Sequence, residues 1–250
     1  MERSKKLKNI GLALLSAAFW VGVWAVCAKA VGRELFLPTP LAVCRSLAAL
    51  LPTVAFWKTV GMTLLRIAEG YLPGVILGTL GGAASAKIKA LDVLFSPLLT
   101  VIRATPVSSF IILALVFFGR NTVPALIVFL MVLPLVWANV AEGIKSVDPA
   151  LSEVCRLYRI PFLRRCRIFY LPHCRPYFSA GALTALGFAW KAGVAAEVLS
   201  TPKPSVGKMI YDAKVYLETS DLFAWTLVIV LLSLALEKLL KILLKRRKKA

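Results

Sequence analysis

The chain has 250 residues, of which 59% are hydrophobic and 17% charged, and its mean hydropathy is +0.80. Soluble domains average about 45–50% apolar and about 25% charged, so this composition excludes an ordinary soluble domain and points to a membrane. In a soluble protein a net charge of +19 would suggest nucleic acid, but here Lys and Arg collect in short segments between apolar runs, which is the positive-inside pattern; no nucleic-acid partner is expected.

A helix needs about 20 apolar residues to cross the hydrocarbon core. The first candidate is Ile10–Ala30, preceded by Arg3, Lys5, Lys6 and Lys8. Ala28-Lys29-Ala30 mimics a signal cleavage site, but the apolar run exceeds the ~7–15 residues of a signal core. Pro40 then opens a short helix over Leu41–Leu51 that lies along the interface. The second span runs from Leu64 to Ala86, with Gly74, Gly78 and Gly82 at the spacing that lets helices approach closely. The third covers Leu91–Phe118 and is kinked at Thr105-Pro106, because proline removes a backbone donor. Such a kink either lines a pathway or is packed inside the bundle.

The fourth span is Val123–Ala141, and a basic segment follows from Glu142 to Arg175. The fifth covers Tyr177–Leu199, a polar outer segment runs from Ser200 to Ser220, and the sixth is Asp221–Leu243 before a polybasic tail. The expected fold is all-α and polytopic, with about six transmembrane helices and both termini cytoplasmic. Residues 1–60 form the first span and an outer interfacial segment; residues 61–250 form a five-helix core with a cytoplasmic loop at 142–175.

The chain offers little chemistry of its own. There is no G-x-x-x-x-G-K-[ST] phosphate cradle, and Gly207-Lys208 lacks the spacing of one. The single histidine, His173, sits at a loop end and makes no Ser-His-acid set. Cys27, Cys44, Cys155, Cys166 and Cys174 include no C-x-x-C pair, so reduced thiols are expected, with no metal and no other cofactor.

Ionisable residues inside spans are costly and are functional candidates by default. Arg66 and Glu69, three apart, form a local structural pair. The candidate pathway-lining residues are Arg103, Thr105, Ser108 and Ser109 around the kink, Asn139 in the fourth span, and Trp190, Lys191 and Glu197 in the fifth. Each has a structural alternative. Asn139 suits interhelical hydrogen bonding, Trp190 suits the core, and the serines can bond to backbone. Lys191 and Glu197 are six residues apart and need not pair with each other.

The stretch Asp148–Gly181 is too polar to span a membrane. Leu151 through Leu157 form an amphipathic helix with Pro149 near its start, and Pro161 interrupts it. A second basic helix, Phe162–Tyr170, ends at Leu171-Pro172. Two short helices joined by a turn make a knob that docks into a partner's groove; the other reading is a basic loop lying on anionic lipid.

Glu153-Val154-Cys155, with Leu171-Pro172 ending nineteen residues after the Glu, resembles the EAA loop of bacterial ABC importer permeases. Ser146 through Leu151, Ala189-Trp190-Lys191 and Ala196-Glu197-Val198-Leu199 are similar to the nitrate/sulfonate/taurine (and bicarbonate) branch. Phe36-Leu37-Pro38-Thr39-Pro40, Arg103-Ala104-Thr105-Pro106 and Val116-Phe117-Phe118-Gly119 also look like that branch, so the resemblance covers nearly the whole chain.

The resemblance implies a type I ABC importer permease fold in a bacterial inner membrane. It implies two ATP-binding subunits as partners, an extracytoplasmic binding protein, a permease homodimer, and ATP hydrolysis on a separate chain. The implied coupling residues are Asp148, Glu153, Arg156, Arg159, Pro161, Leu171 and Pro172. Two departures stand out. Val154-Cys155 replace the usual Ala-Ala, and Arg159 replaces the usual Gly, which with Pro161 implies a differently built turn. A secondary transporter and a membrane scaffold without transport activity are the alternatives.

Overall fold

A computed structural model of the chain describes residues 2–246 except 149, 151, 152, 154 and 156. Its helices are α1 (Glu2–Val31), α2 (Pro40–Leu50), α3 (Val54–Ser85), α4 (Lys89–Ala104), α5 (Val107–Phe117) and α6 (Val123–Lys145). After them come α7 (Phe162–Arg165), a π-helical turn (Cys166–Tyr170), α8 (Leu171–Ser200), α9 (Val206–Val215) and α10 (Thr219–Arg246). No strand occurs among the described residues.

Three helical stretches are long and apolar enough to cross a membrane: Val54–Ser85, Val123–Lys145 and Leu163–Ser200. The bent pair α4–α5 would make a fourth. The other two of the six expected spans coincide in sequence with α1 and α10, helices of 30 and 28 residues that are not among these candidates, so three or four spans are shown among the described residues.

Pro106 does more than kink its span. It ends α4 and starts α5 at an angle of 104°. The proline ring pushes Thr105 out of the helical region, to φ −79° and ψ 131°, and so breaks the ladder. At 1.5 Å per residue the halves reach about 24 Å and about 17 Å, and neither alone covers the ~30 Å hydrocarbon core.

The expected helix end at Leu171-Pro172 is absent, and the helix continues from α7 into α8. The turn just before the proline opens to π geometry, with the Leu171 N–H bonded to the Cys166 carbonyl five residues back. A wider turn gives room where a proline ring would otherwise crowd the carbonyl of the preceding turn.

The chain packs as two units. One comprises residues up to Thr59 together with Met209–Val230. Within it Thr39 caps α2 through its Oγ1, which accepts from Ala42 N at 3.2 Å, and Pro40 takes the first helical position. Trp24 Nε1 donates to the Pro38 carbonyl at 3.1 Å, and the Phe56 and Trp225 rings stack at 5.2 Å.

The other unit comprises Val60–Lys208 and the chain from Leu231 onward. Its core joins Ile111 and Ala114 of α5, Val123 and Ile127 of α6, and Ala192 and Ala196 of α8. The glycine spacing in α3 serves close packing, as expected. A methyl on Gly74 would stand 2.8 Å from Val132 Cβ, and one on Gly78 would stand 2.8 Å from the Leu133 carbonyl oxygen, so α3 lies against α6 backbone to backbone.

Candidate functional site

The segment between α6 and α8 is built as a capped helix, a left-handed turn and a second helix. Asp148 Oδ1 accepts the Ala150 N–H at 2.8 Å, which caps a helix seen at Ala150, Glu153, Cys155 and Leu157. Pro149, Leu151 and Arg156 lie outside the described residues. The helix stops at Arg159, whose φ is +51°, and the Ile160 N–H closes back to the Cys155 carbonyl at 3.0 Å. That six-to-one bond around a left-handed residue is the Schellman stop, and it is followed, as is common, by proline, here Pro161.

The expectation of a differently built turn is therefore corrected at the backbone. Arg159 adopts the conformation that glycine takes freely, because the closing bond requires it. The Pro161 carbonyl then accepts the N–H groups of Arg164 and Arg165, each at 3.0 Å, and Arg165 Nε donates to the Ile160 carbonyl at 2.7 Å.

Contacts tie the end of α6 and this segment to the ends of neighbouring helices. Lys145 Nζ meets Asp92 Oδ2 at 2.8 Å, Ser146 Oγ lies 3.1 Å from His173 Nε2, and Lys87 Nζ sits 4.8 Å from the centre of the Tyr170 ring. Cys155 is buried, whereas Glu153 is exposed. Sequence reasoning missed the apolar side chains at the tip. Leu157 is 79% exposed and Tyr158 74% exposed, directly before the turn, and Leu163 is exposed just after it. Apolar residues this open beside a basic turn are candidates for a contact surface. Leu171 and Pro172, also exposed, sit where the π turn meets α8.

The candidate pathway residues separate into buried and open groups. Glu197 is 1% exposed, and its carboxylate accepts from Arg66 at 3.2 Å, from Thr63 Oγ1 at 2.9 Å and from the Gly207 N–H at 3.1 Å. Arg66 thus pairs across the bundle and not with Glu69, which is exposed. Tertiary packing outweighs the weak surface pair that helical spacing suggested. In the sequence Gly207 reads only as half of an incomplete phosphate cradle. Its real role is close approach, since a methyl there would stand 2.4 Å from Glu197 Cβ.

Trp190 is buried. Asn139 Nδ2 donates to the Leu135 carbonyl of its own helix at 2.8 Å. Arg103, Ser108 and Ser109 are exposed on either side of the α4–α5 break, and Thr105 between them returns its hydroxyl to the Val101 carbonyl at 2.8 Å. Lys191 is exposed on α8. Among the described residues no cluster of His, Cys, Asp or Glu could hold a metal ion.

Residues 70–249 match the family model described as "Binding-protein-dependent transport system inner membrane component". The chain belongs to that family. Its members are multi-pass inner-membrane transport components and not enzymes, and membership sets aside both the secondary transporter and the inert scaffold. Relatives fall in the expected branch.

SsuC of Bacillus subtilis, a permease protein assigned to aliphatic sulfonate transport, is 28% identical over 84% of this chain and 77% of its own length. The bicarbonate transport system permease protein CmpB of Synechococcus elongatus is 27% identical over 73% of this chain, which spans 66% of that protein. The nitrate import permease protein NrtB of Leptolyngbya laminosa is 32% identical over 63% of this chain, which spans only 56% of it.

Proposed function

We propose that the chain is the permease subunit of an ATP-driven importer, and that residues 148–172 form the lever through which ATP-binding subunits work it. One observation carries this reading. The exposed Leu157 and Tyr158 stand at the tip of a turn closed by Arg159 and the Ile160–Cys155 bond, and from Phe162 onward the chain runs as one unbroken helix into α8. In this reading a push on the tip passes through the turn at Tyr158–Pro161 to the helix that begins at Phe162, and so to a membrane helix. Exposed Glu153 and the arginines around it supply charge complementarity to the partner's cleft.

In this reading two ATP-binding subunits hydrolyse the nucleotide on separate chains. A homodimer of permeases encloses the pathway, and an extracytoplasmic binding protein delivers the solute. Both termini and the lever face the cytoplasm, in keeping with the basic segments. ATP-driven closure brings two levers together and shifts the bundle between two packings.

The solute is a small anion, as the names of the sulfonate, bicarbonate and nitrate relatives suggest. Arg103 and Lys191, exposed on helices that enter the membrane, are the counter-charges. Uptake unchanged in R103Q/K191Q would remove that assignment.

Copurification tests the whole reading. The wild-type chain is expected to retain a nucleotide-hydrolysing partner, and Glu153→Lys to lose it while the permease stays folded. A Glu153→Lys variant that keeps its partner and its energised uptake refutes the lever.

A further inference from the structure

A cleft of about 850 Å³ opens between the last turns of α3 and α6, the first turns of α8, and Leu244 of α10. Its walls are largely apolar, with Ala83, Val140, Ile144 and Phe178 among them. The basic lining residues, Lys87 and Arg175, lie at the lever end, where Lys87 packs over the Tyr170 ring. Thr79 of α3 and Phe178 and Ser179 of α8 lie one to two turns deeper. The cleft thus has a charged mouth and a greasy interior, and its volume falls within the ~300–1,000 Å³ of small-molecule sites.

A soluble anion would satisfy the two cations and leave the apolar wall wet. An acyl chain alone would fill the wall but make no use of the positive charge at the mouth. A phospholipid with a net negative headgroup satisfies both, and basic pockets between membrane helices bind such headgroups.

We infer that this cleft holds an anionic phospholipid, its phosphate between Lys87 and Arg175 and one acyl chain against Ile144 and Phe178. Tyr170, Leu171 and Pro172 also line the cleft, so the lipid bridges the base of the lever to the end of α3. It acts as a non-covalent tie that stiffens the lever. The inference rests on the proposed orientation only for placing the cleft in the cytoplasmic leaflet.

Lipid retention by the isolated permease tests it without any ATP-binding partner, so its failure is distinct from failure of the transport reading. The chain is purified in mild detergent from membranes of mixed phosphatidylglycerol and phosphatidylethanolamine, and bound lipid is counted by native mass spectrometry. One phosphatidylglycerol per chain is expected. Lys87→Gln with Arg175→Gln is expected to lower its retention by about tenfold or more. Ser179→Trp, which fills the interior and leaves both cations, is expected to release the lipid while the protein remains monodisperse.

Equal retention of the two lipids by wild type, or phosphatidylglycerol retention unchanged in both variants, overturns the inference. Should the charge variant fail to fold, wild type in nanodiscs of graded phosphatidylglycerol content provides the second reading. Saturable quenching of a Phe178→Trp reporter by brominated phosphatidylglycerol, and not by brominated phosphatidylethanolamine, is the expected result, and equal quenching by both overturns it.

Discussion

Arg66 donates to Glu197 across 3.2 Å in the interior of the bundle, with the two side chains only 5% and 1% exposed. Arg66 also donates to the Pro204 carbonyl at 2.7 Å, and Thr63 Oγ1 accepts the Val206 N–H at 3.0 Å. The pair thereby clamps the residues just beyond α8 onto α3. Removing one partner strands a buried charge, which costs about 3–5 kcal/mol. Arg66→Ala and Glu197→Ala are each expected to lower the Tm in detergent sharply. The double variant is expected to recover part of the loss, because neither charge is then left alone. Strict additivity of the two singles would contradict a direct pair.

Arg159 holds a left-handed conformation that costs an L-residue with a side chain roughly 1–2 kcal/mol. Arg159→Gly is expected to remove most of that cost, and Arg159→Val to raise it, since branching at Cβ crowds the same backbone. Hydrogen exchange at the Ile160 amide reads the turn locally. Protection is expected to rise about fivefold in the glycine variant, the equivalent of about 1 kcal/mol. Unchanged protection would show that the turn is not closed in solution.

Gly70 in α3 is required by contact, whereas Gly187 in α8 is not. A methyl on Gly70 would stand 2.2 Å from the Ala125 carbonyl oxygen, and one on Gly187 would meet nothing within 4 Å. Gly70→Ala is therefore expected to destabilise by separating α3 from α6, at about 1–3 kcal/mol. Gly187→Ala is expected to be neutral or to stabilise by up to about 1 kcal/mol through helix propensity. Thermal unfolding of both variants side by side checks the contrast.

Much of this fold is legible in residue order because the responsible forces are local. Pro40 after Thr39 announces the start of α2, and the four-residue glycine period announces the face of α3 that meets α6. The forces that escape are those set by packing. Glu69 is three residues from Arg66 and Glu197 is 131 away, so spacing favours the wrong partner.

Pro106 and Pro172 read alike in sequence, yet one turns the chain by 104° and the other is passed by a single π turn. Arg159 in a glycine-like turn is invisible without the backbone, because its residue type argues against the conformation it takes. In residues 148–172, the helix-capping Asp148 suits the start of the helix expected from sequence. The open apolar tip at Leu157 and Tyr158 emerges only once the turn directs it outward.

The position of Tyr158 decides most directly whether the segment is a cytoplasmic lever. With the native cysteines replaced by serine, Tyr158→Cys is expected to resist a membrane-impermeant maleimide in intact cells and to react in inverted vesicles. It is also expected to cross-link to a copurifying ATP-binding subunit, with a yield that changes on nucleotide binding. Labelling of Tyr158→Cys from outside the cell, or its full labelling in the assembled complex with no cross-link to any ATP-binding subunit, would contradict the coupling role.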